Sequence, residues 1–205
     1  MDLSYFIRGL LIGFSIAAPV GPIGVLCMRR TLAQGRASGL ISGLGAATAD
    51  AIYGSLAGFG LTSVSTFLIG QQAWLRVVGG AFLFYLGLKT ILVRPAEKAA
   101  WADGNRFVGD YFSTFVLTLT NPVTILSFAA IFAGLGLADE SGDYASAGAL
   151  VSGVFIGSSV WWFTLSSVVA RFRTRLTPRW LRWINRLSGM VILAFGLVAF
   201  LSLVG

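Results

Sequence analysis

Residues 38–61 read SGLISGLGAATADAIYGSLAGFGL. About 20 consecutive apolar residues are enough to cross the hydrocarbon core of a bilayer, so this run has the length of a transmembrane helix. Its single charged residue is Asp50, near the middle. An ionised carboxylate at bilayer depth costs roughly 2.5–3.5 kcal/mol on the insertion scale unless it is neutralised, paired or facing water. A membrane helix that keeps one there is expected to move something past it. The same run carries Gly39, Gly43, Gly54 and Gly58, two glycine pairs at four-residue spacing that allow close helix contact. The segment is therefore expected at the centre of a bundle, with Asp50 away from lipid. A purely structural role for Asp50, hydrogen-bonded to Thr48, Tyr53 or a neighbouring helix, is the alternative.

The rest of the chain has the same character. Of 205 residues, 56% are hydrophobic and only 11% charged, against about 25% charged in a soluble domain. Mean hydropathy is +0.83. These values exclude an ordinary soluble protein and predict an all-α, polytopic membrane protein. The net charge of +7 falls between the apolar runs, so membrane orientation explains it better than nucleic-acid binding. The lone Cys27 excludes an intramolecular disulfide and a CxxC redox pair. With no histidine, the commonest proton shuttle and metal ligand is missing. The start, Met1-Asp2-Leu3-Ser4, lacks a basic n-region, and the first apolar run is long for a signal peptide; it reads as a retained helix.

Six segments reach spanning length, at roughly 4–28, 38–61, 73–93, 108–134, 145–170 and 184–204. The polar stretch 94–107 divides them three and three within one transporter domain, 1–205, with repeat A at about 1–93 and repeat B at 108–205. The connections after the first, third and fifth segments, together with the segment ends that flank them, hold 13 of the 15 Lys and Arg residues. By the positive-inside rule these connections are cytoplasmic and both termini extracytoplasmic.

The halves resemble each other. Residues 42–53, ending Ala49-Asp50-Ala51-Ile52-Tyr53, line up with 152–163, so that Val160 stands opposite Asp50. Gly80 and Gly87 match the seven-residue spacing of Gly189 and Gly196. Three spans per half require the second half to lie inverted, the 3+3 architecture of many secondary transporters.

Both first helices are expected to break. Ala18-Pro19-Val20-Gly21-Pro22-Ile23-Gly24 puts two prolines and two glycines within six residues of span 1, and Thr120-Asn121-Pro122 interrupts span 4. Each proline removes a backbone donor and clashes with the carbonyl four residues back. A helix restarted after such a break points free N–H groups and a positive dipole end into the bundle, which suits a carboxylate. Packing kinks would explain one break; two at matching positions, flanked by Thr120, Asn121 and Thr124, favour a binding site. Arg8 reads as an interfacial snorkelling residue, and the basic run Arg171 to Arg186 as a lipid-contacting segment. There is no Walker motif, HExxH, GxSxG or metal cluster, so no enzyme, cofactor or ATP coupling is expected.

At Gly21-Pro22-Ile23-Gly24, at Arg29-Arg30-Thr31-Leu32-Ala33-Gln34-Gly35-Arg36 and at Gly43-Leu44-Gly45-Ala46-Ala47-Thr48-Ala49-Asp50, the sequence resembles the lysine-exporter (LysE) superfamily and its homoserine/threonine-exporter relatives. Thr120-Asn121-Pro122 resembles that family's Asn-Pro signature. The resemblance runs over essentially the whole chain. It implies a multi-pass exporter of the bacterial inner membrane that moves amino acids under the proton motive force. Pro19 to Pro22, Asp50 and Asn121-Pro122 would then line the path. Two departures concern the substrate: the usual Pro-Gly-Pro is Pro19-Val20-Gly21-Pro22, and the lysine that often follows Asn-Pro is Val123.

The expectation is thus a secondary exporter of an amino acid or similar small zwitterion. Pro19, Gly21, Pro22, Gly24, Asp50, Tyr53, Thr120, Asn121, Pro122 and Thr124 are its candidate path residues. Asp50 meets the substrate ammonium or carries the coupling proton. Expected partners are the substrate, protons and membrane lipids, and the small-residue faces suit homodimerisation as well as intrachain packing. The rival readings are a metal-cation exporter of the same superfamily, for which one carboxylate without histidine is a poor cage, and a scaffold that transports nothing.

Overall fold

The computed structural model describes residues 3–19, 21–59, 70–92, 104–121, 123–128, 144–173 and 178–201. These residues are helical apart from short turns and breaks. The elements are α1 (Leu3–Ala17), α2 (Pro22–Gln34), α3 (Arg36–Gly58), α4 (Gln72–Leu92), α5 (Gly104–Leu119), α6 (Tyr144–Arg173) and α7 (Pro178–Leu201), with a further helical run over 123–128. Each of the six apolar segments read from the sequence is helical where described, apart from the breaks at 18, 19 and 21 and at 120–121 and the turn at Phe59. By length and hydropathy, α6 alone among the described helices could cross a bilayer unaided, and α1 with α2 does so as a bent pair. Leu11, Phe112, Phe163 and Leu197 are each more than half exposed, the outward apolar surface that lipid accepts and water does not.

The boundaries differ from the sequence reading in two places. Arg29 and Arg30 are not in a connection but inside α2, and the whole turn to α3 is one residue, Gly35. Gly35 holds φ at 110°, a backbone region that L side chains avoid and glycine enters freely. At the other boundary, helix resumes at Gly104, so Arg106, counted in the polar stretch 94–107, lies within α5. Its Nε–H donates to Gln34 Oε1 on α2 at 3.3 Å. In both places polar side chains that suggested a loop are helical residues with partners across the bundle.

The helices pack with backbones nearly touching. α1 lies along α6, α3 along both α5 and α6, and α4 along α7. A Cβ on Gly13 would overlap the Val154 carbonyl oxygen, and one on Gly157 would overlap that of Leu10. Gly87 faces Gly189, each within 2.9 Å of the other's carbonyl when given a Cβ, and Gly196 faces Gly80. The four glycines spaced by seven in the sequence are thus one antiparallel crossing of α4 and α7.

Gly157→Ala is expected to destabilise the fold by about 1–3 kcal/mol, the usual magnitude for overpacking. Gly109 on α5 has open space around it, so Gly109→Ala should be neutral or stabilise by up to about 1 kcal/mol through helix propensity. Thermal unfolding of the two variants in detergent checks the pair.

Candidate functional site

The first break is local in origin. Pro19 forces the residue before it out of helical geometry, and α1 closes at Ala17 with a last bond from the Ala18 N–H to the Phe14 carbonyl at 3.0 Å. Gly21 is extended (φ −110°, ψ −169°) and caps α2, with Pro22 at its first position, where a proline's missing N–H is no loss. The new helix leaves at 79° to the old one. Its first closed turn is the Val25 N–H to the Gly21 carbonyl at 3.0 Å.

The second break repeats this chemistry with a side-chain cap. α5 tightens at its end, where the Asn121 N–H donates to the Thr118 carbonyl at 3.2 Å. Asn121 then caps the run 123–128. Its Oδ1 accepts the Val123 N–H at 3.2 Å and its Nδ2 donates to Thr124 Oγ1 at 3.0 Å. The Ile125 N–H donates to the Asn121 carbonyl at 3.2 Å, the counterpart of Val25 to Gly21. Pro122 lies outside the described residues.

Both breaks open on one cavity of about 390 Å³. Pro19, Gly21, Pro22 and Gly24 line it from the first break, Thr120, Asn121 and Thr124 from the second, and Asp50 from α3. Among the described residues Asp50 is its only charged lining group. The Asp50 side chain is held from α6. Ser158 Oγ–H donates to Asp50 Oδ2 at 2.7 Å, and Trp162 Nε1–H donates to Ser158 Oγ at 3.1 Å. Ser158 and Trp162 are the supports that the sequence reading did not assign; their one signal was the Trp161-Trp162 pair opposite the Asp50 stretch in the second half. A carboxylate steadied by one hydroxyl, walled by apolar side chains and opening on a cavity can meet a cation or a proton there.

Tyr53 is placed differently from the other candidates. It does not line the cavity. Its hydroxyl donates to the Leu119 carbonyl, and its ring packs on Phe128 at 5.6 Å. It therefore satisfies a carbonyl that the α5 break leaves without an intrahelical partner. It acts one layer behind the site.

A second buried charged cluster was not legible in the sequence. Arg30, counted there as a loop cation, pairs with Asp110: Nε lies 3.1 Å from Oδ1, and both side chains are buried. The same guanidinium donates to Ser42 Oγ (2.9 Å), the Asp110 carbonyl (2.9 Å) and Ser113 Oγ (2.7 Å). Asp110 sits in the second turn of α5, close to a segment edge, so hydropathy alone could not flag it as buried.

A family model described as LysE type translocator matches residues 14–203. The chain belongs to this family; it is a membrane transporter and not an enzyme. It is 29% identical over 200 residues to the Bacillus subtilis (strain 168) protein named "Putative amino acid efflux protein YcgF", covering 95% of this chain and 94% of that protein. It is also 29% identical over 174 residues to the "Uncharacterized membrane protein YahN" of Escherichia coli (strain K12), covering 83% of this chain and 77% of that one. No solved structure matches the chain.

Removing either partner of the Arg30–Asp110 pair leaves a buried charge unmatched, which costs about 3–5 kcal/mol. Arg30→Met and Asp110→Leu are each expected to show that loss in chemical denaturation. The double variant should recover a large part of it, and additive losses in the cycle would show that the pair is not coupled.

Proposed function

We propose that the protein is a secondary active exporter of an amino acid or related small zwitterion, driven by the proton motive force across a bacterial inner membrane. The observation that carries this reading is Asp50 opening on the cavity where both helix breaks meet. The family and the name of the B. subtilis relative support export of amino acids. A zwitterion needs one anionic and one cationic partner. Asp50 supplies the first. The α2 N-terminus, whose early amides have no intrahelical partner, supplies the second. Among the described residues Asp50 is also the one carboxylate that lines the cavity, which makes it the coupling residue of this reading.

The architecture belongs to the same proposal: one domain, six spans, two inverted repeats. Its support is a symmetric packing pattern. α1 runs parallel to α6, as Gly9 facing Leu150 and Gly13 facing Val154 require, and α3 runs parallel to α5, as Gly45 facing Tyr111 and Tyr53 bonding Leu119 require. Exchanging the halves turns one pair into the other. The α3–α6 and α4–α7 pairs are antiparallel and map onto themselves. With the basic connections cytoplasmic, both termini are extracytoplasmic.

Proteoliposomes loaded with a labelled amino-acid panel test the transport reading. Efflux should rise when an inward-directed proton gradient is imposed. Asp50→Asn keeps the side-chain size and the Ser158 contact but cannot carry a proton. It should assemble normally and release substrate no faster than protein-free liposomes. Full activity with an unchanged response to the gradient would defeat the coupling role. For topology, reporter fusions after Gly205 and near Lys98 should lie on opposite sides, with Gly205 outside; a cytoplasmic signal at Gly205 would reverse the orientation.

A further inference from the structure

Resting on the amino-acid reading above, we infer that the cavity selects amino acids with an apolar side chain, of leucine to phenylalanine size, over basic, acidic and hydroxylated ones. The walls carry the argument. Ile16, Ile23, Leu83, Leu117, Trp162 and Phe195 line the cavity from α1, α2, α4, α5, α6 and α7, so apolar surface surrounds it from nearly every helix. A volume of about 390 Å³ lies at the low end of small-molecule sites and leaves room beyond a backbone zwitterion for one sizeable side chain.

The polar lining offers few free hydrogen-bond donors to a polar side chain. Thr118, Thr120 and Ser127 each donate their hydroxyl hydrogen to the carbonyl one turn back, at 2.8, 2.9 and 2.8 Å. The two ends of the Asn121 amide are engaged by Val123 and Thr124. Hydrogen-bond donors for a substrate carboxylate side chain are therefore scarce, and no basic residue lines the cavity among the described residues. A basic amino acid would bring two cationic groups to one carboxylate, and burying the unmatched one is strongly unfavourable. An apolar side chain meets no such penalty and gains from the walls in proportion to the area it covers.

Competition measured by counterflow in proteoliposomes of the full chain tests this. With radiolabelled leucine as the reporter, unlabelled leucine, isoleucine and phenylalanine should compete at least about tenfold better than alanine, threonine, lysine or glutamate, the discrimination expected from methylene-sized differences in an apolar pocket. Phe195→Ala, which removes one apolar wall of the cavity, should narrow the leucine-over-threonine ratio several-fold. If lysine, glutamate or threonine competes as well as leucine, or if Phe195→Ala leaves the ratio unchanged, the apolar class is overturned and the exporter reading stands. If no amino acid of any class binds or exchanges, both fall together.

Discussion

Arg30 holds α2 across the bundle, and the cavity depends on α2. A helix of 13 residues is at the margin of independent stability. Having turned 79° away from α1, it takes no direction from the helix before it. Its direction comes from packing against α3, α6 and α7 and from its far end, where the Arg30 guanidinium is fixed by Asp110, Ser42 and Ser113 on α3 and α5. Eight residues separate Arg30 from Pro22, about 12 Å of helix. The ion pair at one end thus adds to the packing that aims the capping turn at the other, and that turn is a wall of the cavity. Arginine suits this place because its planar fork satisfies several acceptors at once, which a lysine ammonium on a flexible stem would not do in the same geometry.

In the proposed inverted repeat, the charge can stand in one half alone. Close backbone approach at glycine is what α1–α6 and α4–α7 share, and it needs no charge. Val160, opposite Asp50 in the sequence alignment of the halves, is well exposed on the outer face of α6. The neighbours of Val160 on α6 do the complementary work: Ser158 bonds the carboxylate and Trp162 fixes Ser158. One helix of the central antiparallel pair thus carries the ionisable group and the other carries its support. Without Ser158, the carboxylate would lose its hydrogen-bond donor while remaining buried, an arrangement that low-dielectric surroundings penalise.

Much of this was legible in the sequence because the bilayer limits the options. Long apolar runs must be helices there, and each of the six is helical where described apart from the two breaks. The breaks at Pro19–Pro22 and Asn121 were legible because proline chemistry acts through neighbouring residues, and their meeting around Asp50 follows from two such breaks at matching positions. What the sequence hid depended on side chains paired across distant helices. Arg30 and Asp110 are 80 residues apart and lie near segment ends, where charge is ordinarily read as loop charge. Tyr53, three residues from Asp50, looked like a second path residue, yet its hydroxyl turns to the Leu119 carbonyl. Periodicity could not separate these two outcomes, because both leave the residue on the inner side of α3.

In the proposed exporter, a single carboxylate in an apolar cavity has a consequence for coupling. Asp50 can be satisfied by a proton or by a substrate ammonium, but both together would leave the ammonium without its anionic partner among Ile23, Leu117 and Trp162. Occupancy by one therefore weakens the other, and the linkage is reciprocal by thermodynamic necessity. A proton arriving from the acidic side favours release of the substrate there, and loss of that proton on the opposite side restores the site. Exchange of this kind needs no second titratable group and no wire between separate sites. It needs only that the cavity stay dry enough for the two cations to exclude each other, which the apolar walls and the closely packed glycine crossings provide.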